Sequence, residues 1–448
     1  MSRLVVIGAG ITGLSAAWRA RSLSKSAEIV VIEREPSLGG KIQTEVKDGF
    51  ILDAGADGFL SRKPAGVGLC RELGINELLR GQTKKKNRSF VARAHALHPI
   101  PEGFSGLVPA NLQALEETKL LSEEGRRRAM EEPTIPARRD LGDESVSQFM
   151  TRRFGKEAFE ALLEPLLVGI YAGDADTLSL QATFPQLREL ELARGSVLGG
   201  LRSPTQSDLP PFVTFEAGMA KLVGALSRNL VGVRVLTQTE ARTITHRHGI
   251  WRMQLDHGEE VEADAVIVTA PANHASVLLE ETDRSLAGLL ASIPFASTAI
   301  VHLGFQSNGV AHGLDGYGYV IPRCEGSDFL ACTWSSSKWE GRAPKDRVLL
   351  RLYSRTQAGD DELVRLARVE LRQTMGITSD PVLTRVFRWQ EAMPQYTLEH
   401  PARVEQIEKR CAGLEGLYLA GASYRGVGIP DCIESGSRAA QAAMERMK

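Results

Sequence analysis

The feature that most constrains the fold is a glycine-rich turn near the start of the sequence. An apolar run, 4–7, precedes this turn, and an Ala-rich segment with helical spacing, 14–23, follows it. A second apolar run, 29–32, ends at the acid Glu33. The turn itself reads Gly8-Ala9-Gly10-Ile11-Thr12-Gly13. Strand, turn, helix and strand in this order predict a right-handed βαβ unit, and therefore an α/β fold with a doubly wound parallel sheet.

The three glycines and the acid have separate roles in such a unit. Gly8 permits the tight turn, Gly10 lets the main chain approach a pyrophosphate, and Gly13 lets the helix pack on the strand. The start of the helix carries free N–H groups and about half a positive charge, which stabilise phosphate. Glu33 is placed to accept hydrogen bonds from ribose hydroxyls. The motif predicts a dinucleotide site; a tight turn without any ligand is the alternative.

Three further segments favour a flavin over a nicotinamide dinucleotide. The pair Gly39-Gly40 follows the acid and allows a second close approach of main chain to ligand. Residues 53–58 form a loop of small residues, and residues 421–431 form a glycine-rich loop before the last predicted helix. That distant loop supplies another helix N-terminus, which can face an electron-rich ring edge. A nicotinamide protein does not need it, so these segments together predict FAD.

Composition excludes several other classes of protein. The 448 residues include 54 Lys and Arg against 55 Asp and Glu, so the net charge of −1 predicts no nucleic-acid partner. A hydrophobic content of 43% is typical of a globular chain. The five scattered cysteines form no C-x-x-C pair, which is typical of a reducing, cytoplasmic protein without disulfides or zinc. We expect no metal site, signal peptide or transmembrane segment; peripheral membrane contact stays open.

The motifs together resemble the flavin amine oxidase and desaturase superfamily, in which both ends of the chain build one FAD site. The resemblance is closest to the oxygen-dependent protoporphyrinogen and coproporphyrinogen oxidases of haem biosynthesis. Within these it is closest to the bacterial coproporphyrinogen III oxidases, because their C-terminal motif is similar to residues 426–433. It covers nearly the whole chain. The segments that carry it are Gly39–Thr44, Glu164–Asp174, Ala331–Trp334, Arg388–Tyr396 and Gly421–Ile433.

The resemblance implies a fold and an activity. We expect a Rossmann-like FAD-binding domain, a mixed-sheet substrate domain and an inserted helical domain. The implied reaction is the six-electron oxidation of coproporphyrinogen III to coproporphyrin III by molecular oxygen, with release of hydrogen peroxide. Oxidation of protoporphyrinogen IX is the alternative. Other amine oxidase or desaturase chemistry, and a non-catalytic protein that binds FAD or porphyrin, are remoter ones.

The resemblance also implies the site residues. It implies noncovalent FAD, since the cysteine that tethers flavin in monoamine oxidases is missing, and a ferrochelatase is a candidate partner. No side chain is assigned as catalytic. The implied FAD contacts are Gly8, Ala9, Gly10, Ile11, Thr12, Gly13, Glu33, Arg34, Lys41, Gly55, Ala56, Asp57, Gly58, Ala241, Trp389, Val427, Gly428 and Ile429.

Substrate contacts are expected in two places. The resemblance places the backbone of Gly169 against the tetrapyrrole, with Tyr171 close by. The basic run of Lys84, Lys85, Lys86 and Arg88 is a candidate for binding substrate carboxylates, and a solvated surface is the alternative.

The expected domain division follows the same pattern. Residues 1–90, 212–272 and 385–448 would form the FAD-binding domain. Residues 91–108 and 273–384 would form the substrate domain, and residues 109–211 a helical cap of the membrane-facing type.

Overall fold

The computed structural model describes residues 2–84, 89–105, 108–109, 112–140, 142–198 and 209–448. Three of the predicted substrate contacts, Lys85, Lys86 and Arg88, lie outside these residues. The strands in chain order are β1 (Arg3–Ile7), β2 (Glu28–Ile32), β3 (Thr44–Lys47), β4 (Phe50–Asp53), β5 (Phe59–Leu60), β6 (Leu79–Gly81), β7 (Ser89–Arg93), β8 (Ala96–Pro99), β9 (Phe104–Ser105), β10 (Val108–Pro109), β11 (Phe212–Phe215), β12 (Arg234–Leu236), β13 (Ala241–Arg247), β14 (Ile250–Leu255), β15 (Glu260–Ala263), β16 (Ala265–Val268), β17 (Phe295–Gln306), β18 (Gly318–Val320), β19 (Phe329–Trp334), β20 (Arg347–Ser354), β21 (Leu383–Pro394) and β22 (Leu417–Leu419).

Helices occupy most of the segment between β10 and β11 and both sides of the sheets. In chain order they are α1 (Ile11–Leu23), α2 (Pro64–Glu72), α3 (Leu112–Glu117), α4 (Glu123–Met130), α5 (Val146–Phe154), α6 (Lys156–Ala158), α7 (Glu164–Tyr171), α8 (Leu180–Thr183), α9 (Pro185–Arg194), α10 (Ala220–Asn229), α11 (Ala272–Leu279), α12 (Arg284–Ala291), α13 (Ser335–Lys338), α14 (Asp360–Met375), α15 (His400–Ala412) and α16 (Ile429–Arg446). Among the described residues, no helix is long and apolar enough to span a membrane.

A five-stranded parallel sheet forms the centre of the first layer. Its order is β12-β2-β1-β16-β22, so strands from both ends of the chain lie in one sheet. β1 and β2 pair in parallel with Val5 opposite Val30, which confirms the predicted βαβ unit. Leu4 and Val6 pack on one side with helices α1, α10 and α16, while Val5 and Ile7 pack on the other with β13–β15 and α11. Both faces are covered, as the continuous apolar runs predict.

A seven-stranded mixed sheet forms the second layer. Its order is β21-β17-β20-β19-β18-β7-β8, and only β18 and β7 are parallel neighbours. Leu350 and Leu352 of β20 pack against α14 on one face. We call the opposite face the inner face. The expected domain boundaries at 90/91 and 384/385 fall inside β7 and β21. Because both strands pair within this sheet, we propose that both belong entirely to the substrate domain.

Helices α4–α9 pack around their own apolar core, centred on residues such as Phe149 and Leu162. A buried ionic cluster joins them. Arg153 and Glu132 are both fully buried and form an ion pair, and Glu191 lies 3.4 Å from the Arg153 guanidinium. Removing one member would leave an uncompensated buried charge, which typically costs about 3–5 kcal/mol. The cluster therefore fixes how these helices pack on one another.

Candidate active site

The turn between β1 and α1 has no room for side chains at two of its glycines. Gly8 has φ +98°, and a Cβ there would lie 2.8 Å from the Thr269 hydroxyl. A Cβ on Gly13 would lie 1.9 Å from the Gly8 carbonyl oxygen. The predicted roles of these glycines in the turn and in helix packing therefore agree with the geometry.

Gly10 differs because open space lies in front of it. It is the N-cap of α1 without a capping side chain, and a Cβ there would have no atom within 4 Å. The Gly39 amide donates to the Ala9 carbonyl at 2.8 Å, which brings the second glycine pair beside the first turn. Open space at an uncapped helix N-terminus suits a pyrophosphate. The residues present thus fit a dinucleotide.

Glu33 lies at the end of β2 and is buried. Its carboxylate accepts hydrogen bonds from the amides of Ala9, at 2.6 Å, and Glu35, at 2.9 Å. The sequence did not indicate this role in holding the turn. A carboxylate has about four acceptor positions, so capacity for ribose hydroxyls remains. The Thr239 amide donates to the Glu33 carbonyl, which brings the segment containing Ala241 alongside.

The loop of residues 54–58 lies between the two sheets. A Cβ on Gly55 would lie 2.1 Å from the Lys41 carbonyl oxygen, and one on Gly58 would lie 2.8 Å from the Val213 carbonyl. The Trp389 indole donates to the Ala54 carbonyl at 2.7 Å. Predicted FAD contacts from three separate segments, near residues 41, 55 and 389, are therefore adjacent in space.

Asp57 is held by the second sheet and its flanking helix. Its carboxylate accepts hydrogen bonds from Lys338, at 3.0 Å, and from the Trp339 indole, at 2.8 Å. Burial alone would raise the pKa of Asp57, but Lys338 and Arg351 outweigh it and hold that pKa well below its usual value. We therefore expect any contact of Asp57 with FAD to come from its main chain. Sequence analysis did not predict this cluster, because its cations lie about 280 residues away.

His302 lies next to this cluster on β17. Its Nε2 donates to the Asp53 carbonyl at 3.2 Å. Burial lowers the pKa of His302 to about 3, and the Arg351 guanidinium adds to the shift. The imidazole is therefore neutral at physiological pH and acts as a hydrogen-bond donor between strand and loop.

The C-terminal loop ends at the start of α16. Gly428 is the N-cap of this helix, and its amide donates to the Asp431 carboxylate at 3.2 Å. α16 packs tightly on α1, since a Cβ on Gly436 would lie 2.2 Å from the Thr12 carbonyl oxygen. Gly428 precedes Ile429 and follows Val427, so these three predicted contacts lie at the start of a helix that packs on α1. This confirms that both ends of the chain meet in one place.

Residues 394–400 run from the end of β21 to the start of α15, and we call them the strap. Their side chains contact both α7 and the C-terminal loop. The Gln395 side-chain amide donates to the Tyr171 carbonyl at 3.0 Å. The Tyr396 hydroxyl donates to the Ala422 carbonyl at 2.6 Å, and His400 Nε2 donates to the Tyr424 carbonyl at 2.9 Å. The His400 ring also stacks on Tyr396 at 4.1 Å. The strap therefore holds the end of α7 next to the loop that precedes α16.

Side chains on the inner face of the second sheet lie beside the loop 54–58. Arg351 donates to the Gly55 carbonyl, and its guanidinium lies 4.8 Å from the Tyr353 ring centre. The hydroxyls of Tyr353 and Thr333 are 3.2 Å apart. Tyr353, Thr333 and Trp389 are half-buried, and we call them the inner strip. α7 packs against β18 and β19 of the same sheet.

Four predicted contacts remain to be placed. Arg34 is exposed and pairs with Glu35, and Lys84 is exposed. Lys41 donates through Nζ to the Ala392 carbonyl next to β21's end. The backbone of Gly169 lies in the last turn of α7, close in sequence to Tyr171, whose buried ring contacts Tyr396. The FAD contacts of Arg34 and Lys41 and the substrate contacts of Lys84, Gly169 and Tyr171 stay predictions.

We call the glycine turn 8–13, the loop 54–58 and the start of α16 the FAD cradle. Such a cradle beside a mixed sheet is the arrangement of a class of flavin-dependent oxidoreductases. The chain belongs to the flavin containing amine oxidoreductase family, which matches over residues 11–444. FAD is accordingly its cofactor.

Individual relatives match over almost the full length. The chain is 36% identical to the coproporphyrinogen III oxidase of Bacillus subtilis, with 98% of this chain and 97% of that protein covered. It is 26% identical to protoporphyrinogen oxidase 2 of Arabidopsis thaliana, covering 98% and 93%. A solved structure from Exiguobacterium sp. 255-15 superposes with a TM-score of 0.89 at 31% identity, covering 99% of both chains.

Proposed function

We propose that this chain is an FAD-dependent oxidase that converts coproporphyrinogen III to coproporphyrin III in haem biosynthesis. The observation that carries the proposal is the similarity over almost all of both chains to the Bacillus subtilis protein, which bears that name. The inner strip supports it, because it lies beside the loop 54–58 on the sheet against which α7 packs. Protoporphyrinogen IX is the second candidate substrate, because the plant relative is named for it.

The reaction removes six electrons and six protons from the macrocycle. Over three rounds the four saturated bridging carbons lose one hydrogen each and two pyrrole nitrogens lose one proton each. Every round breaks one bridging C–H bond with loss of a hydride and releases one proton, so that three hydrides and three protons leave in total. FAD, when bound, would supply the hydride acceptor and the route for the electron pair to oxygen. One porphyrinogen and three molecules of oxygen thus give one porphyrin and three molecules of hydrogen peroxide.

The residues of the chain contribute position and exclusion of water. Open space at Gly10 and the N-terminus of α1 would bind the pyrophosphate, while Trp389 and the loop 54–58 would lie beside the ring system. The strap fixes the end of α7 against the C-terminal loop, so that the substrate side and the flavin side keep one geometry. No described side chain on the inner strip is an obvious general base. Transfer of product to a ferrochelatase and contact with a membrane surface stay predictions.

The test measures reaction and stoichiometry together. Purified holoenzyme is mixed with each porphyrinogen, and porphyrin fluorescence, oxygen uptake and peroxide release are recorded. We expect bleaching of the flavin under nitrogen, full turnover in air, and a higher kcat/KM for coproporphyrinogen III. Bound flavin that neither porphyrinogen bleaches would refute the proposal and leave a carrier role. A higher kcat/KM for protoporphyrinogen IX would select the second candidate.

A further inference from the structure

We propose that Arg355 binds a carboxylate of the substrate at the edge of the inner strip. This inference rests on the proposed function, since it names a residue that recognises the propionate groups of a porphyrinogen. Arg355 follows β20 directly, is exposed, and was not among the residues that the sequence indicated.

Arg355 lies immediately beyond the end of β20, next to the inner strip. Leu350 and Leu352 face α14, whereas Arg351 and Tyr353 face the loop 54–58. Side chains alternate along a strand, and Arg355 is the first residue beyond the row that Arg351 and Tyr353 form. β17 separates β20 from β21, which places Arg355 about 10 Å across the sheet from the row of Trp389.

The contact of Arg355 places it at the predicted tetrapyrrole segment. Its Nη1 donates to the Gly173 carbonyl at 3.4 Å, a long hydrogen bond that leaves the other donors available. Gly173 follows the end of α7 and packs against Gln395 of the strap. The guanidinium therefore lies where the helical region, the strap and the inner strip meet.

Arg355 also differs from nearby arginines in having no carboxylate partner within the described parts of the chain. Arg323, on the same side, pairs with Glu164, Asp174 and Asp176, and Arg388 pairs with Asp360. A guanidinium has five donors in a planar fork that matches a carboxylate. The structure thus leaves a carboxylate-binding group free beside the inner strip, and the proposed substrate carries four propionates.

The test compares porphyrin binding to four holoenzymes: wild type, Arg355→Gln, Arg355→Lys and Arg365→Gln. Arg365→Gln is the matched control, because it removes the same charge from α14 on the other face of the sheet. Coproporphyrin III is titrated while its absorbance and the flavin fluorescence are followed. We expect Arg355→Gln to raise Kd about fivefold at low salt, the size of one exposed charge pair, and less at high salt.

The other variants and ligands separate recognition from a structural effect. Arg355→Lys should recover most of the affinity, and Arg365→Gln should bind like wild type. Coproporphyrin III tetramethyl ester keeps the ring without the charges, so wild type and Arg355→Gln should bind it equally. In turnover, Arg355→Gln should raise KM for coproporphyrinogen III about fivefold, with kcat changed less than about twofold.

Two results would overturn the assignment of Arg355. One is a Kd for coproporphyrin III that is the same in Arg355→Gln and Arg365→Gln; the other is an equal loss of affinity for the ester. A wild-type enzyme that binds coproporphyrin III through Arg355 but oxidises no porphyrinogen would refute the proposed function alone.

Discussion

Acid should destabilise this protein through its buried histidines, and His400 provides the cleanest case. Its ring is about 1% exposed and stacks on Tyr396, and its Nδ1 has no hydrogen-bond partner in the described structure. Burial lowers the pKa of His400 to about 4 from the ordinary 6.5, although the hydrogen bond to Tyr424 opposes the shift. Between these two values the unfolded chain binds a proton that the native protein does not. Stability must therefore fall as pH decreases through this range.

The magnitude follows from the size of that range. One pKa unit corresponds to about 1.36 kcal/mol, so lowering the pH from 7 to 5 costs about 2 kcal/mol through His400. Burial lowers the pKa of His302 as well, and its contribution has the same sign. The raised pKa values of Asp53 and Glu164, which burial causes, act in the opposite direction. A single-site comparison removes these shared contributions.

The assay is urea unfolding at a series of pH values, with FAD held in the same excess. His400→Gln keeps a donor for the Tyr424 carbonyl but cannot titrate. Wild type should lose about 2 kcal/mol more than His400→Gln between pH 7 and pH 5, and the two should run parallel above pH 7. Equal slopes for both proteins over the acid range would show that His400 is not buried as a neutral ring.

Three further predictions concern the FAD cradle and its supports. Gly10→Glu should abolish FAD binding, measured by flavin content after purification, because a carboxylate would enter the open space and repel phosphate; a yellow variant would count against the site. Gly436→Ala should destabilise by about 1–3 kcal/mol, since its Cβ would meet the Thr12 carbonyl, and thermal unfolding would show this; an unchanged Tm would contradict the close helix packing. Arg342→Met leaves the buried Asp53 unpaired and should cost about 3–5 kcal/mol in urea unfolding, whereas adding Asp53→Asn should restore part of that loss.

Local patterns predicted much of the FAD side of the fold. The turn at Gly8–Gly13, the parallel pairing of β1 and β2, and the helix that follows the C-terminal loop are short-range features that glycine spacing and apolar runs encode. The cluster at Asp57 and the cation at Arg355 depend on strand register between segments far apart in sequence. Side-chain facing can be reversed by a shift of one residue in register, so the sequence alone could not predict these groups.

The packing of α16 on α1 has a consequence for how the protein is made. β22 is an edge strand of the five-stranded parallel sheet that contains β1. Gly436 of α16 must lie against Thr12 of α1 before these two helices can pack together. A growing polypeptide will therefore emerge from the ribosome with the side of α1 that faces α16 uncovered until α16 has been translated. Capture of flavin should accordingly be a late event, which follows synthesis and packing of α16.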